Sequence, residues 1–424
     1  MTTTRRSRAG RIRFPEFSEL AFTSLWVLIF CIPWEDEVSV GQGVAISHLA
    51  GVLASLIGVM SAVVYWRIRR IHAVHYLLGA LVAWMAATYF WSLAPDETVT
   101  KAGSCLQLLF MVWLIWEFAP TQDRQVSLIR AYVFGSYVSA SSVIYSFVTH
   151  TGSNLGLSEG RYTAAGFDEN ELGTTLALAL VMSCYLLTKP GVGRLVWFFH
   201  IPTCILAICL TGSRGAFVSA SIAALIFPLS FHSLGPRTKW VVCVGLLVLT
   251  GTAVAVLPES TWQRLGTIQS EVANGTLTKR TYIWAAGLDV FRDHPLLGVG
   301  AGAFGPSVYS RLDIAYVAHN SYLSVLVELG VTGAVLFSST LVMLCQLILR
   351  LPMLERRTWL ILMVTWSVAV SSLSWEHRKP TWFLFGLLIA QSQTFAQARS
   401  RSPSGLASRS AVGDASYEGA VRAY

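Results

Sequence analysis

Stretches of about 20 mostly apolar residues, each long enough to carry a helix through the hydrocarbon core of a bilayer, recur along most of this sequence. They lie at 18–33, 44–66, 73–93, 102–118, 131–149, 170–188, 196–211, 215–232, 240–257, 320–349, 358–374 and 380–396. Strands of a membrane barrel would alternate polar and apolar residues, and these runs do not. Hydrophobic residues make up 54% of the chain and charged residues 13%, too few charges for the surface of a soluble protein of this length. The expected fold class is therefore all-α, a polytopic membrane protein with about twelve transmembrane helices.

Positive charge sets the expected orientation. The chain opens on a basic segment (RRSRAGRIR), and no small-residue cleavage site follows the first apolar run. It is read as an uncleaved cytoplasmic start rather than a signal peptide. Alternation from there gathers most of the 31 Lys and Arg, including Arg67, Arg69, Arg70, Arg124, Lys189, Arg350, Arg356 and Arg357, on the cytoplasmic side and makes both termini cytoplasmic. The net charge of +8 is thus a matter of topology, and no nucleic-acid partner is expected. The seven cysteines all fall within apolar runs and suggest neither a disulfide framework nor a metal pair. The chain divides into a basic N-terminus (1–17), nine spans (18–257), a long non-cytoplasmic loop between spans nine and ten (258–318), three further spans (319–396) and a Gly/Ser-rich tail (397–424) expected to be disordered.

Within the long loop, RTYIWAAGLDVFRDHP has helical apolar spacing at Ile283, Trp284, Leu288 and Phe291 and ends at a proline, which predicts a helix along the membrane surface. The following HPLLGVGAGAFG contains a GxGxxG-like string, but no strand precedes it, so a dinucleotide site is excluded. Its glycines are expected to shape a re-entrant or tight loop near the arginines.

Arg214, in LTGSRGAFVSA, lies between two apolar runs too close together for an ordinary loop. A guanidinium there either ends a helix by snorkelling or faces an anion, and backbone N–H groups of Gly212, Ser213 and Gly215 beside it would make an anion nest. Lys279 and Arg280 open the loop helix at the end where the dipole disfavours a cation, which hints at an anion between them. Arg161, Arg264, Arg292 and Arg311 are lesser candidates, more ordinary as loop charges. His319 stands at the membrane face with a titration range suited to proton transfer, and Asn320 or Ser321 after it serves as a helix N-cap. Glu328, nine residues on, points about 180° away around a helix, so it is read as a buried partner or cavity-lining group rather than half of a dyad. Gly330 and Gly333 are expected to admit a neighbouring helix. Asp168 or Asn170 and Asp96 read as helix caps, and no metal motif stands out, so no metal or cofactor is expected.

Assembled in order, WSLAPDETVTKA, GFDENELG, TGSRGA, KRTYIWAAGLDVFRDHPLLGVGAGAFG and HNSYLSVLVELGVTGAV resemble the O-antigen ligase and polysaccharide polymerase superfamily of bacterial inner-membrane glycosyltransferases, over about Trp91 to Phe337. The resemblance implies a fold like that of polyprenyl-phosphate-dependent glycosyltransferases. It implies a donor glycan on undecaprenyl diphosphate, an acceptor glycan or lipid A core, surrounding membrane lipids and a chain-length regulator as partners. The reaction would take place at the periplasmic face of the inner membrane. The family's catalytic positions fall on Arg214, Arg280 and His319, with Ser213, Lys279, Asn320, Arg161, Arg292 and Arg311 as substrate-binding candidates.

The chemistry agrees with this. Guanidiniums stabilise the charge that develops on a departing diphosphate, and a histidine takes the proton of the attacking hydroxyl. The ligases' motif continues His319, Asn320, Gly330 and Gly333 with two threonines, where this chain has Ala334 and Val335. A polymerase of lipid-linked repeat units is therefore favoured over a ligase to lipid A core or protein. A transporter or flippase of a polyprenyl-linked glycan is the alternative of another class, and it would distribute charges to both sides of a central cavity.

Overall fold

The computed structural model describes residues 17–40, 44–65, 68–151, 161–164, 166–189, 193–224, 259–267 and 280–401, with scattered positions between 235 and 255. Within them a two-residue antiparallel ladder, Ser39–Val40 against Val44–Ala45, is the one piece of sheet. In chain order the α-helices are α1 (Phe17–Cys31), α2 (Ile46–Tyr65), α3 (Ala73–Ala87), α4 (Pro95–Phe118), α5 (Gln122–Thr149), α6 (Glu169–Leu187), α7 (Arg194–Leu210), α8 (Arg214–Ala224), α9 (Glu259–Gly266), α10 (Arg280–Asp293), α11 (Phe304–Leu312), α12 (Ser321–Leu349), α13 (Met353–Val370) and α14 (Lys379–Arg401). Among the described residues, seven helical segments are long and apolar enough to cross a membrane, and Arg194–Leu210 is apolar but shorter. Most of the expected run 240–257, the end of the run 215–232 from residue 225, the basic start and the tail beyond Arg401 lie outside the described residues. Helix α14 continues to Arg401, past the boundary expected at 396.

The packing is that of helices surrounded by lipid. Helix α2 turns Ser47, Ala54, Gly58 and Ser61 inward, while Leu53, Leu56, Met60 and Val63 are each more than half exposed. Small residues inside and large apolar ones outside are what bilayer helices use, because lipid tails offer no reason to hide a leucine and close approach is what binds helices together. A Cβ at Gly58 would stand 2.3 Å from the Leu114 side chain. At the centre lie α6, 89% of whose span is buried, and α14, buried without a break from Pro380 to Ser392. Between them α5 stacks Tyr132 on Phe383 at 5.3 Å. Buried His200 of α7 hydrogen-bonds Ser136 of α5 and Ser183 of α6, both at 2.7 Å, tying three helices where unpaired polar groups would be costly.

Polar pairing concentrates at the two ends of the bundle. At one end Glu19 meets Arg124, Lys189 meets Glu355 at 2.9 Å and Thr394 reaches Pro120. Both ends of the described chain emerge there. At the other end Glu35 meets Lys379, Lys101 meets Glu376, and Glu171 meets Arg378.

The second end is organised by a broken helix. Gly330 interrupts α12 with φ 66° and ψ −170°, freeing backbone groups inside a span. The glycine-rich segment after α10 fills the gap. Val299 and Gly300 N–H donate to Val327 and Glu328 carbonyls at 3.1 and 2.9 Å, Val331 N–H donates to the Pro295 carbonyl at 2.8 Å, and Trp84 Nε1 donates to the Leu329 carbonyl at 3.0 Å. Irregular backbone at membrane depth is tolerated only when protein satisfies it in this way. The glycine-rich segment thus forms a tight loop docked against the break. Gly330, expected to admit a helix, instead receives this loop: a Cβ on it would lie 2.3 Å from the Leu296 carbonyl oxygen.

Helix α10 and the loop make a small core of their own with α12. The inward face of α10 is Ile283, Ala286, Gly287 and Val290, packed with Phe304, Val308 and Leu323. Leu288, expected on that face, is exposed, while Trp284 is fixed by donating to the Ala318 carbonyl at 2.9 Å. Substituting Gly330→Ala should lower stability by roughly 1–3 kcal/mol or more, since a side chain there meets both the wrong φ and a carbonyl. Gly79→Ala, where nothing lies within 4 Å, should be neutral or stabilising by up to about 1 kcal/mol. Thermal unfolding in detergent measures both, and equal melting temperatures for the two variants would contradict this account of the break.

Candidate active site

The segment from Ser374 to Lys379 joins α13 to α14 and straps the second end together. Trp375 N–H donates to Ser321 Oγ at 2.6 Å, and Ser321 Oγ in turn donates to the Leu373 carbonyl at 2.8 Å. Lys101 is held between Glu328 and Glu376 at 2.7 Å each, with Ser324 donating to both carboxylates at 3.1 Å and Gly302 N–H reaching Glu328 at 2.8 Å. Arg378 meets Glu171 at 2.8 Å at the start of α6. Beside the strap, a Cβ at Gly215 would lie 3.0 Å from Ser372 Oγ, so the turn carrying Arg214 sits against the segment that holds Ser321.

The same turn is fixed from its other side. Gly212 takes φ 58°, Ser213 Oγ donates to Asn170 Oδ1 at 2.7 Å, and Ala216 N–H donates to Ser213 Oγ at 3.2 Å. Gly212 N–H goes to the Cys209 carbonyl and Ser213 N–H to Thr211 Oγ1, so two of the three donors expected to face an anion are spent inside the turn. Arg161, expected to be an ordinary loop charge, is instead almost buried here. It donates to the Thr211 carbonyl at 3.0 Å and Asn170 at 3.4 Å and pairs with Glu169 at 3.5 Å. Asp168 caps α6 as expected, accepting from Asn170 and Glu171 N–H at 2.8 and 3.2 Å. Asp96 sits in the first turn of α4 rather than capping it.

His319 and Arg280 complete the group. His319 is half-buried and held at φ 45°, a conformation that L-residues seldom adopt and that persists where surroundings impose it. Asn320 then caps α12 by accepting from Leu323 N–H at 3.1 Å. The His319 pKa is held below the ordinary imidazole value, first by burial and then by the Arg280 charge, with Asp168 opposing both. Arg280, at the start of α10, is itself lowered by burial and by Arg161, against the pull of Asp168. Arg161 touches Glu169 and Asn170, the residues that follow Asp168, and the charge of Asp168 acts on both Arg280 and His319. A neutral imidazole near a shared carboxylate can take a proton, and the surrounding guanidiniums suit an anion.

Other expected residues stand elsewhere. Arg292 pairs with Asp289 and is exposed, and Arg311 pairs with Asp293 at 2.6 Å, both on the outer side of the loop. Lys279 lies outside the described residues. Glu328 is the buried, cavity-lining partner that its position suggested. Among the described residues no three His, Cys, Asp or Glu side chains gather in a way that could hold a metal ion. Sequence reasoning passed over Lys101, Glu376, His377 and Arg378. The signal for them was the charged run EHRK between two apolar runs.

Two cavities open at this end. One, of about 540 Å³, is an apolar groove walled by α1, α2 and α4, including Leu56, Met60 and Phe110, that closes at Glu35, His48, Arg378 and Lys379. The other, of about 380 Å³, is polar and reaches Val317 and Ala318, directly before His319. His377 and Ser104 line both.

Residues 201–338, which carry Arg214, Arg280 and His319, match a protein-family model described as O-antigen ligase. The chain is also 24% identical over 293 residues to the exopolysaccharide production protein ExoQ of Rhizobium meliloti (strain 1021). Both likenesses support the O-antigen ligase and polymerase superfamily. The ExoQ alignment covers 64% of this chain and 64% of ExoQ, so the chain spans under two thirds of that relative's length. The likeness to this family and the seven apolar helices among the described residues together support a multi-pass membrane protein.

Because burial and Arg280 oppose protonation of His319 while Asp168 favours it, Asp168→Asn should lower the His319 pKa further. Imidazole NMR of selectively labelled protein reads this directly, and an unchanged or raised value would separate Asp168 from the site.

Proposed function

We propose that the protein is a metal-independent membrane glycosyltransferase that transfers a glycan from undecaprenyl diphosphate to an acceptor sugar hydroxyl at the periplasmic face of the inner membrane, polymerising lipid-linked repeat units of a surface or exopolysaccharide. The observation that carries this reading is the shared neighbourhood of His319, Arg280, Asp168 and Arg161 beside the turn that presents Arg214. A base and several guanidiniums at the mouth of a membrane bundle suit an acceptor hydroxyl and a lipid diphosphate together. The apolar groove that closes on Arg378 and Lys379 supports a donor with a long hydrocarbon tail.

In the proposed step the acceptor oxygen attacks the anomeric carbon while His319 takes its proton. The bond from that carbon to the diphosphate oxygen breaks, and the electron pair stays on the leaving group, where Arg214 and Arg280 stabilise it. Asp168 favours the imidazolium that results. A single displacement inverts the anomeric centre. Ser213 fixes the turn, Arg161 adds positive charge, and Asn320 sets the start of α12 just after the base.

The likeness to ExoQ, an exopolysaccharide production protein, and Ala334 and Val335 in place of the ligases' threonines favour polymerisation. The family description, O-antigen ligase, supports transfer to lipid A core as the second reading. Reconstitution with a lipid-diphosphate-linked repeat unit tests both, with a second repeat unit or a core oligosaccharide as acceptor. His319→Ala, Arg280→Ala and Arg214→Ala, each folded, should lose about 10²–10⁴-fold in rate. Transfer should fade only as pH falls below the ordinary histidine range, since His319 must be neutral to act. Undiminished turnover by the three variants would refute the mechanism.

A further inference from the structure

We propose that the polar cavity of about 380 Å³ beside His319 is the subsite for the acceptor saccharide, shaped for an uncharged sugar and closed to acidic ones. This rests on the glycosyl-transfer reading above. Its walls come from Glu97, Thr100, Lys101 and Ser104 of α4, the glycine loop at Gly302 to Gly305, Ser324 and Glu328 of α12, and Ser374 and His377 of the strap. Its volume lies within the range of about 300–1,000 Å³ typical of small-molecule sites. Val317 and Ala318 also line it, so its wall ends at the residue directly before His319 in the chain.

The chemistry of the lining is that of hydroxyl recognition. Ser374 Oγ on its wall is buried with no hydrogen-bond partner, and so is Glu376 Oε2 just behind it. Buried polar atoms left unpaired cost free energy, and a ligand with several hydroxyls, each both donor and acceptor, removes that cost. Phe304 offers an apolar edge for the C–H face of a pyranose. Lys101 already sits between two carboxylates, so a metal ion is not the natural occupant.

Charge sets the selectivity. Glu97 and Glu328 line this space with Lys101 and His377, and Glu376 meets the latter two from behind, whereas Arg161, Arg214 and Arg280 are not among its walls and are assigned to the diphosphate. A uronate or phosphorylated sugar would have to lose its water beside like charge, which rejects it as effectively as the hydroxyl contacts select a neutral one.

The test is binding without donor or turnover. Repeat-unit oligosaccharides released from the source organism's own surface polysaccharide are compared, by saturation-transfer NMR on the full chain in nanodiscs, with the same oligosaccharides oxidised at C6 to uronates. Thr100→Trp and Gly305→Leu fill the cavity from opposite walls. Thr100 is exposed on α4, and a Cβ at Gly305 meets nothing closer than 3.5 Å, so both variants should fold. Wild type and His319→Ala should bind the neutral form alike, each filling variant should weaken it about tenfold or more, and the uronate should bind about tenfold more weakly. No binding to wild type, full binding by both filling variants, or equal binding of the uronate would each overturn the proposal. Binding of this pattern in a protein that catalyses no transfer would instead count against the reaction and leave the subsite standing.

Discussion

A backbone carbonyl or N–H group inside a bilayer must find a partner within the protein, and the break at Gly330 makes that requirement the organising fact of the structure. The groups it frees are met by the loop around Pro295 to Gly300, and that docking brings the long loop down into the bundle. Once the loop is seated, Gly302 reaches Glu328, Glu328 reaches Lys101, and the segment before His319 is held by Trp284. The position of His319 thus depends on hydrogen bonds made on the far side of the loop from it.

The charges at this end form two zones. Around Arg161, Arg280 and the turn with Arg214, the start of α6 brings carboxylates among the cations, Glu169 pairing with Arg161 and Asp168 acting on both His319 and Arg280. Around Lys101, carboxylates are in excess. The strap runs between them, contributing Glu376 to one and Arg378, through Glu171, to the other. Burial matters to both, because in a low dielectric such differences of sign act over distances that water would screen.

Much of this arrangement was legible in the chain, and what was missed has a common cause. The apolar runs fixed the helices, local signals found the caps at Asp168 and Asn320, and 3.6-residue spacing with a terminal proline found α10. His319 and Arg280 were singled out by residue type, position and motif order. Arg161 was undervalued because its partners, Thr211 and Asn170, belong to a turn that packs on it only in three dimensions. Arg292 and Arg311 looked equivalent to it, yet each has an acidic neighbour on the outer surface that already answers its charge. The strap was invisible as a device, since Lys101 and Glu376 are 275 positions apart and no periodicity links them. The break at Gly330 was hidden because a glycine in a span fits close helix packing equally well.

The ion cluster also constrains how such a protein can be made. Lys101 belongs to the fourth helix, and its first carboxylate partner, Glu328, follows 227 residues later, with Glu376 further still. During synthesis the ammonium enters the membrane region long before anything can neutralise it, at a cost of about 2.5–3.5 kcal/mol for an unpaired charge at mid-membrane and less near the surface. Helix α4 must therefore wait at shallow depth or against lipid headgroups until α12 and the strap arrive. Closure of the Lys101 cluster is then a late event in biogenesis, and a chain that stalls before Glu376 would be inserted but not yet assembled.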